Sequence, residues 1–370
     1  MSRVGILAVS MPHYGGTYQY TLAMIEALRR LPEHDYTLFT GAHNDAYQLG
    51  LPIVRLPPPP LGAALIGAAA SGLAGRIGLF SDVDKVIAPI YSTYLLASSR
   101  PFAFTLHDLQ EKHQPQNFTP LQRAWRNATN FLLTRAATRI VCESRHVESD
   151  IRAFFPATAH KVRIIAAPPL TNFSNLSIPA PLQTEAVDRL QLPTQYLFYP
   201  AQFFPHKNHL RLIDAFAQVA TEHPGCQLLL TGRPIHDYDK VVARIRELRL
   251  TSAVRLLGHL SDMDLAILYK AATLVVIPTL FESISIPVYE AFTLGRPVCV
   301  SNVVALPEQV GDAAALFDPY SVDDMARRIS ATLADPQLRL ELVERGRRRI
   351  AGMTMQRYSE QLRQLLSEIG

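Results

Sequence analysis

Cysteine is scarce in this sequence, and the few cysteines present are scattered. Only three occur among 370 residues, and no two of them form a CxxC pair. Cys142, Cys226 and Cys299 each lie in an apolar run that is typical of a buried strand or its end. This pattern argues against a disulfide framework and indicates reduced core residues in a cytoplasmic protein.

A strong charge of either sign is also lacking. The formal net charge is +4, and charged residues make up 18% of the chain. Such a mild excess argues against a dedicated nucleic-acid groove, so we expect no nucleic-acid partner. It is compatible with anionic small molecules or with an acidic membrane surface.

No long apolar run is free of interruption. The stretch from Leu61 to Phe80 is long enough to span a membrane, but Ala and Gly dominate it and Arg76 interrupts it. It therefore predicts a helix or loop outside the membrane. The opening residues MSRVGILAVS are too short for a signal peptide and instead predict a first buried strand.

What the sequence does contain is a regular alternation of short apolar runs and helical patterns. At 370 residues the chain is long enough for two domains, and apolar residues make up 48% of it. The alternation predicts parallel sheets of βαβ units in both halves, an α/β fold. Twelve strands are predicted: Val4–Val9, Tyr36–Thr40, Lys85–Ala88, Phe102–Leu106, Arg139–Val141, Val162–Ile165, Tyr196–Tyr199, Gln227–Leu230, Val254–Leu256, Leu274–Ile277, Val298–Val300 and Ala314–Phe317.

Two stretches suggest where the domains divide. Residues 167–193 are rich in Pro, Ser and Asn and show no strand alternation, so they predict the connection between domains. The end of the chain predicts an amphipathic helix, because apolar residues from Tyr358 to Ile369 fall on one stripe. We expect an N-terminal domain of residues 1–170 and a C-terminal domain of residues 171–353.

The segment VVIPTLFESISIPVYEAF carries the strongest chemical signal. It predicts a buried strand ending near Pro278, then a loop, then a helix entered at Pro287. The backbone of Ser283, Ile284, Ser285 and Ile286 would thus lie at a helix N-terminus beyond the end of a parallel strand, a position that favours a pyrophosphate.

Glu282 and Glu290 flank this loop. If the eight steps between them were all helical, they would rise about 12 Å, whereas the carboxyl groups of a retaining glycosidase lie about 5 Å apart. Recognition of two parts of one ligand is therefore a better interpretation than an acid and base pair. The plainer alternative is a solvated loop charge and a favourable charge near a helix N-terminus.

The same segment closely resembles the signature of the family-four glycosyltransferases of GT-B fold, a pattern like PSxxEGFGLPxxEA. The matching residues are Pro278, Glu282, Pro287, Glu290 and Ala291. The resemblance implies two Rossmann-like domains with parallel sheets facing a cleft, with the last helix, residues 354–370, crossing back to the N-terminal domain. It also implies that Glu282 binds the transferred sugar and Glu290 the nucleotide ribose. Ser283 and Ser285 stand where the family often has glycines.

The segment YPAQFFPHKNH carries a second part of the resemblance. The family places a cation on the donor phosphates here, a role that falls to Lys207. Many members have an arginine five or six residues earlier, where this chain has Ala201 and Gln202. We expect Gln202 to line the donor site, and His206, His209 or Arg233 to replace the missing charge.

Two short motifs of the first half complete the resemblance. Gly15 and Gly16, in HYGGT, match the glycine loop that approaches the donor phosphate and the acceptor. His107 ends a predicted strand where similar transferases place a histidine near the reacting sugar, and Asp108 could hold its ring or accept a proton. Alternatively, the glycines form only a tight turn, and His107 and Asp108 only cap one.

The resemblance implies a retaining hexosyltransferase that uses a nucleotide-sugar co-substrate, with GDP-mannose as a weak preference. A glycan or lipid-linked acceptor in surface polysaccharide synthesis is the expected setting. The run from Pro120 to Arg139 mixes arginines with Trp125 and Phe131, so it predicts either a peripheral membrane contact or a core helix with a basic face. His, Cys and carboxylates show no metal-ligand spacing along the sequence, so neither a metal nor a cofactor is expected. A nucleotide-sugar epimerase of the same fold and a non-catalytic nucleotide-sugar-binding protein remain alternatives.

Overall fold

Two parallel sheets organise the computed structural model, each within its own unit. The structure describes residues 1–12, 15–42, 44–47, 49–57, 66–68, 78–169, 173 and 178–370. Unit 1 consists of Met1–Leu170 and Met353–Gly370, and unit 2 of Thr171–Gly352. Most of the predicted helix or loop between Leu61 and Phe80 lies outside the described residues.

The sheet of unit 1 has seven strands in the order β3-β2-β1-β4-β5-β6-β7. Each strand is parallel to its neighbours, as βαβ connections require. The strands are β1 (Ser2–Ala8), β2 (His34–Gly41), β3 (Ile53–Leu56), β4 (Lys85–Ala88), β5 (Phe102–Thr105), β6 (Arg139–Cys142) and β7 (Val162–Ile164). The helices of this unit are α1 (Gly16–Arg29), α2 (Gln110–His113), α3 (Pro120–Ala136), α4 (Arg145–Phe154) and, after unit 2, α13 (Met355–Glu368).

The sheet of unit 2 has six parallel strands in the order β10-β9-β8-β11-β12-β13. These are β8 (Tyr196–Pro200), β9 (Gln227–Thr231), β10 (Val254–Leu256), β11 (Leu274–Ile277), β12 (Val298–Ser301) and β13 (Ala315–Phe317). Its helices are α5 (Ala180–Arg189), α6 (His209–Glu222), α7 (Tyr238–Glu247), α8 (Asp262–Ala271), α9 (Ile286–Thr293), α10 (Leu306–Val310), α11 (Val322–Ala334) and α12 (Pro336–Ala351). The predicted pair of parallel-sheet, Rossmann-like domains is confirmed.

The central strands have apolar residues without alternation because both of their faces are covered. In β11, every residue from Leu274 to Ile277 is at most 1% exposed. Parallel sheets bury both faces beneath crossover helices, so their strands are continuous apolar runs. This is why all twelve predicted strands are present, with every boundary within two residues of its predicted position.

Two elements differ from the sequence-based expectation. Strand β3 was not predicted, because it lies at the sheet edge and three of its four residues are exposed. Helix α5 lies within the region that predicted only an interdomain connection. Its apolar content is low, which is why the pattern gave no helical signal.

Helix α13 completes the core of unit 1. Tyr358, Leu362 and Leu366 are at most 1% exposed and belong to the same apolar cluster as residues of β1 and α1. At its C-terminal end, the ammonium of Lys85 donates to the carbonyl oxygen of Leu366 over 2.9 Å. Burying three such side chains contributes about 1.5–3 kcal/mol each. The helix is therefore a structural part of unit 1.

No helix within the described residues is long and apolar enough to cross a membrane.

Candidate functional site

In unit 2, the loops that follow β8 and β11 emerge side by side. Strands β8 and β11 are parallel neighbours in the sheet. From β8 the chain continues to β9 and β10 on one side of β8, and it then forms β11 on the other side of β8. Such a reversal of strand order is the switch point at which open parallel sheets bind ligands, beyond the carboxyl ends of the strands. The sheet topology alone thus selects the two loops that carry Lys207 and Glu282.

Hydrogen bonds to backbone carbonyl oxygens hold the two loops together. The amide of Leu280 donates to the carbonyl oxygen of His206 over 2.7 Å, and the hydroxyl of Thr279 donates to the same oxygen over 3.1 Å. The buried side-chain amide of Asn208 donates to the carbonyl oxygen of Pro278 over 2.9 Å. The relative position of the loops is therefore set by buried groups that need these partners.

These contacts bring Lys207 and Glu282 together. The ammonium nitrogen of Lys207 lies 2.5 Å from Oε2 of Glu282, and both side chains are about four-fifths buried, with exposed fractions of 18% and 17%. A hydrogen-bonded ion pair at this depth is only weakly screened by solvent. Each partner holds the other in a defined orientation, ready for a ligand that carries both anionic and hydroxyl groups.

Helix α9 begins immediately after this loop, with Pro287 in its first turn. The side-chain amide of Gln309 both accepts from the amide of Ser285 and donates to its carbonyl oxygen, each over 2.8 Å. The backbone amide of Ser285 is therefore already satisfied, whereas its buried Oγ has no hydrogen-bond partner among the described residues. Ser283, Ile284 and Ile286, in contrast, are partly exposed.

Glu290 is the fifth residue of α9 and is 7% exposed. The phenol of Tyr269 donates to its Oε2 over 2.5 Å. Burial raises the pKa of the Glu290 carboxyl to about 7, an effect that the hydrogen bond from Tyr269 only partly offsets. The carboxyl group is thus held in place by an aromatic hydroxyl that the sequence motif does not include.

The missing arginine is not replaced by the neighbouring histidines. Burial lowers the pKa of His206 to about 4 and that of His209 to about 3, so both rings are neutral near pH 7. The expectation that they supply a positive charge is wrong. Arg233 is exposed and remains the candidate.

Arg233 and Gln202 are already linked. The amide of Arg233 donates to Oε1 of Gln202 over 2.9 Å. Gly232 precedes Arg233 with φ +143°, and a Cβ there would lie 2.5 Å from the carbonyl oxygen of Ala201. Only glycine allows the ends of β8 and β9 to approach so closely.

In unit 1, Gly15 and Gly16 lie where α1 begins. Gly15 has φ +58° and immediately precedes the helix, and Gly16 is its first residue. The carbonyl oxygen of Gly15 accepts from the amides of Tyr18 and Gln19. The structure therefore places the glycine turn at a helix N-terminus, while His13 of the same motif lies outside the described residues.

His107 follows β5 and has both ring nitrogens engaged. Nδ1 lies 2.8 Å from a carboxylate oxygen of Glu143, and Nε2 donates to the carbonyl oxygen of Pro89 over 3.0 Å. Burial lowers the pKa of His107, but the hydrogen bond and negative charge of Glu143 outweigh it and raise the pKa above its ordinary value. Because both partners accept, the ring is held as an imidazolium when Glu143 is ionised.

The expectation that Asp108 holds the ring of His107 is wrong, because Glu143 does so. Asp108 instead accepts from the amide of Gln110 over 3.0 Å and from the guanidinium of Arg126 over 3.2 Å. The two adjacent side chains therefore have different partners.

Three residues of these sites escaped sequence reasoning: Glu143, Tyr269 and Gln309. Glu143 directly follows β6, the neighbour of β5, so strand-end adjacency could have identified it. Tyr269 and Gln309 lie in the helices α8 and α10, where no motif marks them.

Comparison with known proteins places both halves of the chain in one class. Residues 185–349 match the family model of glycosyl transferases group 1, and residues 14–167 match that of glycosyltransferase family 4. The O-antigen chain mannosyltransferase B of Escherichia coli is 33% identical over 162 residues, which cover 43% of this chain and 42% of that protein. The match thus spans less than half of this relative.

Solved structures resemble the whole chain. A sucrose-phosphate synthase from Thermosynechococcus elongatus has a TM-score of 0.79 at 21% identity, covering 100% of this chain and 99% of the other. The HepE protein of Anabaena, in complex with UDP and glucose, has a TM-score of 0.77 at 19% identity, covering 99% and 100%. With two family models matching along most of its length, this chain belongs to the group 1, family 4 type of glycosyltransferases of GT-B fold.

Proposed function

We propose that the protein is a retaining glycosyltransferase that moves a sugar from a nucleotide-diphosphate donor to a glycan or lipid-linked acceptor. The observation that carries this proposal is the ion pair of Lys207 and Glu282 at the switch point of the sheet of unit 2. Its cation suits the donor diphosphate and its carboxylate suits the sugar hydroxyls. The family match and the mannosyltransferase relative support the same reaction class.

Each site residue has a defined role in this proposal. Lys207 neutralises the charge that develops on the departing diphosphate, and Glu282 orients the transferred sugar by accepting from its hydroxyls. Glu290 accepts from the ribose hydroxyls, and Gln202 and the partly exposed backbone around Ser283 and Ile284 border the phosphates. Together these residues bind the donor at both ends, so the bond that breaks is held in a fixed orientation.

His107 and Asp108 belong to the acceptor side in this proposal. The imidazolium of His107 supplies a fixed positive charge near the reacting sugar, and Glu143 keeps that charge in place. Retention of configuration then proceeds on one face of the sugar, with a departing phosphate oxygen taking the proton of the acceptor hydroxyl. No protein carboxylate acts as the nucleophile.

Turnover with a panel of GDP-, UDP-, ADP- and dTDP-sugars tests the function. We expect GDP-mannose to yield a mannoside whose anomeric configuration, measured by NMR, matches that of the donor. Inversion would contradict the retaining mechanism. Release of free epimerised sugar would instead identify an epimerase, and a donor that binds but stays intact with every acceptor would identify a binding protein.

We further propose that α3 rests on an anionic lipid surface. Leu121 (79%), Trp125 (39%) and Phe131 (49%) are exposed on this helix, and so are Arg123 and Arg135. Exposed apolar side chains among basic ones suit the boundary between lipid headgroups and acyl chains. Membrane contact would bring the enzyme to a lipid-linked acceptor.

Trp125 is the only tryptophan of the chain and therefore reports on this contact. We expect its fluorescence to shift to the blue with phosphatidylglycerol vesicles and to remain unchanged with neutral phosphatidylcholine vesicles. Replacing Arg123 and Arg135 with glutamine should weaken the shift, because the lipid attraction is partly electrostatic. An unchanged spectrum with both vesicle types would disprove the contact.

A further inference from the structure

A cluster of metal-ligand side chains lies in unit 1, apart from the residues assigned above. It contains His113 at the end of α2, and His146 and Asp150 on α4. Since His146 and Asp150 are four residues apart on a helix, they share one face. One ligand atom from each of the three residues lies within 4.8 Å of those from the others.

The contacts within the cluster converge on the carboxylate. Nε2 of His113 lies 2.8 Å from Oδ2 of Asp150, and Nε2 of His146 lies 3.7 Å from the same oxygen. The Asp150 side chain is 11% exposed, whereas those of His113 and His146 are about one-third exposed, at 36% and 31%. The two imidazole rings are therefore partly open to solvent, although Nε2 of His146 is itself buried, and the carboxylate is the most buried side chain of the three.

We propose that His113, His146 and Asp150 form a Zn²⁺ site whose fourth position is taken by water. Two imidazole nitrogens and one carboxylate oxygen are ligands that zinc commonly takes, with bonds of about 2.0–2.2 Å. Ligand atoms around a tetrahedral ion are then about 3.3–3.5 Å apart. The 2.8 Å contact of His113 with Asp150 must lengthen and the 3.7 Å contact of His146 with Asp150 must shorten slightly, and rotation of the two partly exposed rings supplies the movement. This proposal differs from the expectation of no bound metal. That expectation was based on the spacing of ligands along the sequence, whereas these three ligands come together from two different helices.

The place of the cluster in the fold gives this zinc a structural role. Helix α2 begins at Gln110, shortly after His107, and α4 begins at Arg145, shortly after Glu143. The zinc would join these two helices, and therefore the two segments whose side chains form the bond between His107 and Glu143. It would act as a brace between α2 and α4.

Calorimetric titration of tag-free, EDTA-treated protein with ZnCl₂ tests the site. We expect one Zn²⁺ per chain, and a loss of affinity of about 100-fold or more in His146→Ala. His160→Ala is the matched control, because His160 is an exposed histidine of the same unit outside the cluster, and it should bind zinc like the wild type. Absence of zinc binding by the wild type, or equal affinity in His146→Ala, would overturn the proposal.

Thermal unfolding distinguishes a zinc site from a simple hydrogen-bonded pair. Zinc that binds only the folded state stabilises it and so raises the melting temperature. At a zinc concentration one hundred times the Kd, the added free energy of unfolding is about 2.7 kcal/mol. We expect this rise in the wild type and in His160→Ala, but not in His146→Ala or His113→Gln. Since no nucleotide sugar is involved, the result stands whether or not the transferase activity is found. A rise of equal size in all four proteins would place the zinc elsewhere and overturn the assignment.

Discussion

Replacing Lys207 with methionine lowers kcat/KM for the sugar donor by about 10²- to 10³-fold, the cost of removing one preorganised group that stabilises developing charge. Methionine keeps the length and the apolar stem of lysine but removes the ammonium that lies 2.5 Å from Glu282. Steady-state kinetics with the donor identified by the sugar panel measure the loss. The control is Lys240→Met, in which a lysine exposed to 70% is removed from the same unit, and it should retain wild-type activity.

The double variant Lys207→Met/Glu282→Gln separates the chemical role of Lys207 from its structural one. Removing lysine alone leaves Glu282 as an unpaired, largely buried carboxylate, which could disturb the loop. Such a disturbance would lower the free energy of unfolding of Lys207→Met, and neutralising Glu282 should restore it. Because Glu282 is itself assigned to the sugar, we expect the double variant to remain at least as inactive as the single one while its stability recovers, so stability, and not activity, reports on the structural role. Near wild-type turnover by Lys207→Met would refute the assignment.

The stability of the protein falls as the pH rises from about 5 to 8, because Glu290 must lose a proton in a buried position. Its pKa is about 7 in the folded state, against an ordinary value of 4.5. Between these values the folded state binds a proton that the unfolded chain has released, so stability is full at low pH and is lost as the pH rises through 7. A loss of about 1–3 kcal/mol is expected, because each pKa unit is worth about 1.4 kcal/mol.

Glu290→Gln should remove this loss and be more stable than the wild type at pH 8 by the same amount. Glutamine has nearly the same shape, and its carbonyl oxygen can still accept from Tyr269. Denaturant unfolding at several pH values measures the effect. Glu222→Gln, a change at an exposed residue of α6, should follow the wild-type profile. Parallel profiles for the wild type and Glu290→Gln would show that another group is responsible.

Donor binding should suffer in Glu290→Gln even though stability improves. A carboxylate accepts strong hydrogen bonds from two ribose hydroxyls, whereas an amide can accept from only one side. One variant would then bind the sugar donor more weakly and have a more stable fold. This outcome is expected of a group that is kept for binding at a cost to stability.

The sequence was sufficient for the architecture because parallel strands are buried on both faces. Runs such as Leu274–Ile277 and Val298–Ser301 are apolar at every position or nearly so, and the pattern therefore identified them directly. Edge strand β3 carries an exposed face and a short run, so its signal was too weak. The helix predicted to be entered at Pro287 begins one residue earlier, at Ile286.

The site was predictable only where the residues stand in a contiguous motif. Lys207 and Glu282 were identified separately, but their ion pair depends on Asn208 and Thr279 bonding across the two loops, which no local pattern specifies. The same holds for Tyr269 beneath Glu290 and for Glu143 beside His107. The neutral state of His206 and His209 was likewise unpredictable, because it follows from burial and not from residue type.

The return of α13 to unit 1 has a consequence for how the protein is made. Ribosomes synthesise chains from the N-terminus onward, and domains usually begin to fold in that order. The core of unit 1 needs Tyr358, Leu362 and Leu366, which are synthesised only after the whole of unit 2. The second unit is continuous in sequence, so it can complete its fold first. The nascent first half therefore lacks the apolar face of α13 until the last residues of unit 2 have been synthesised.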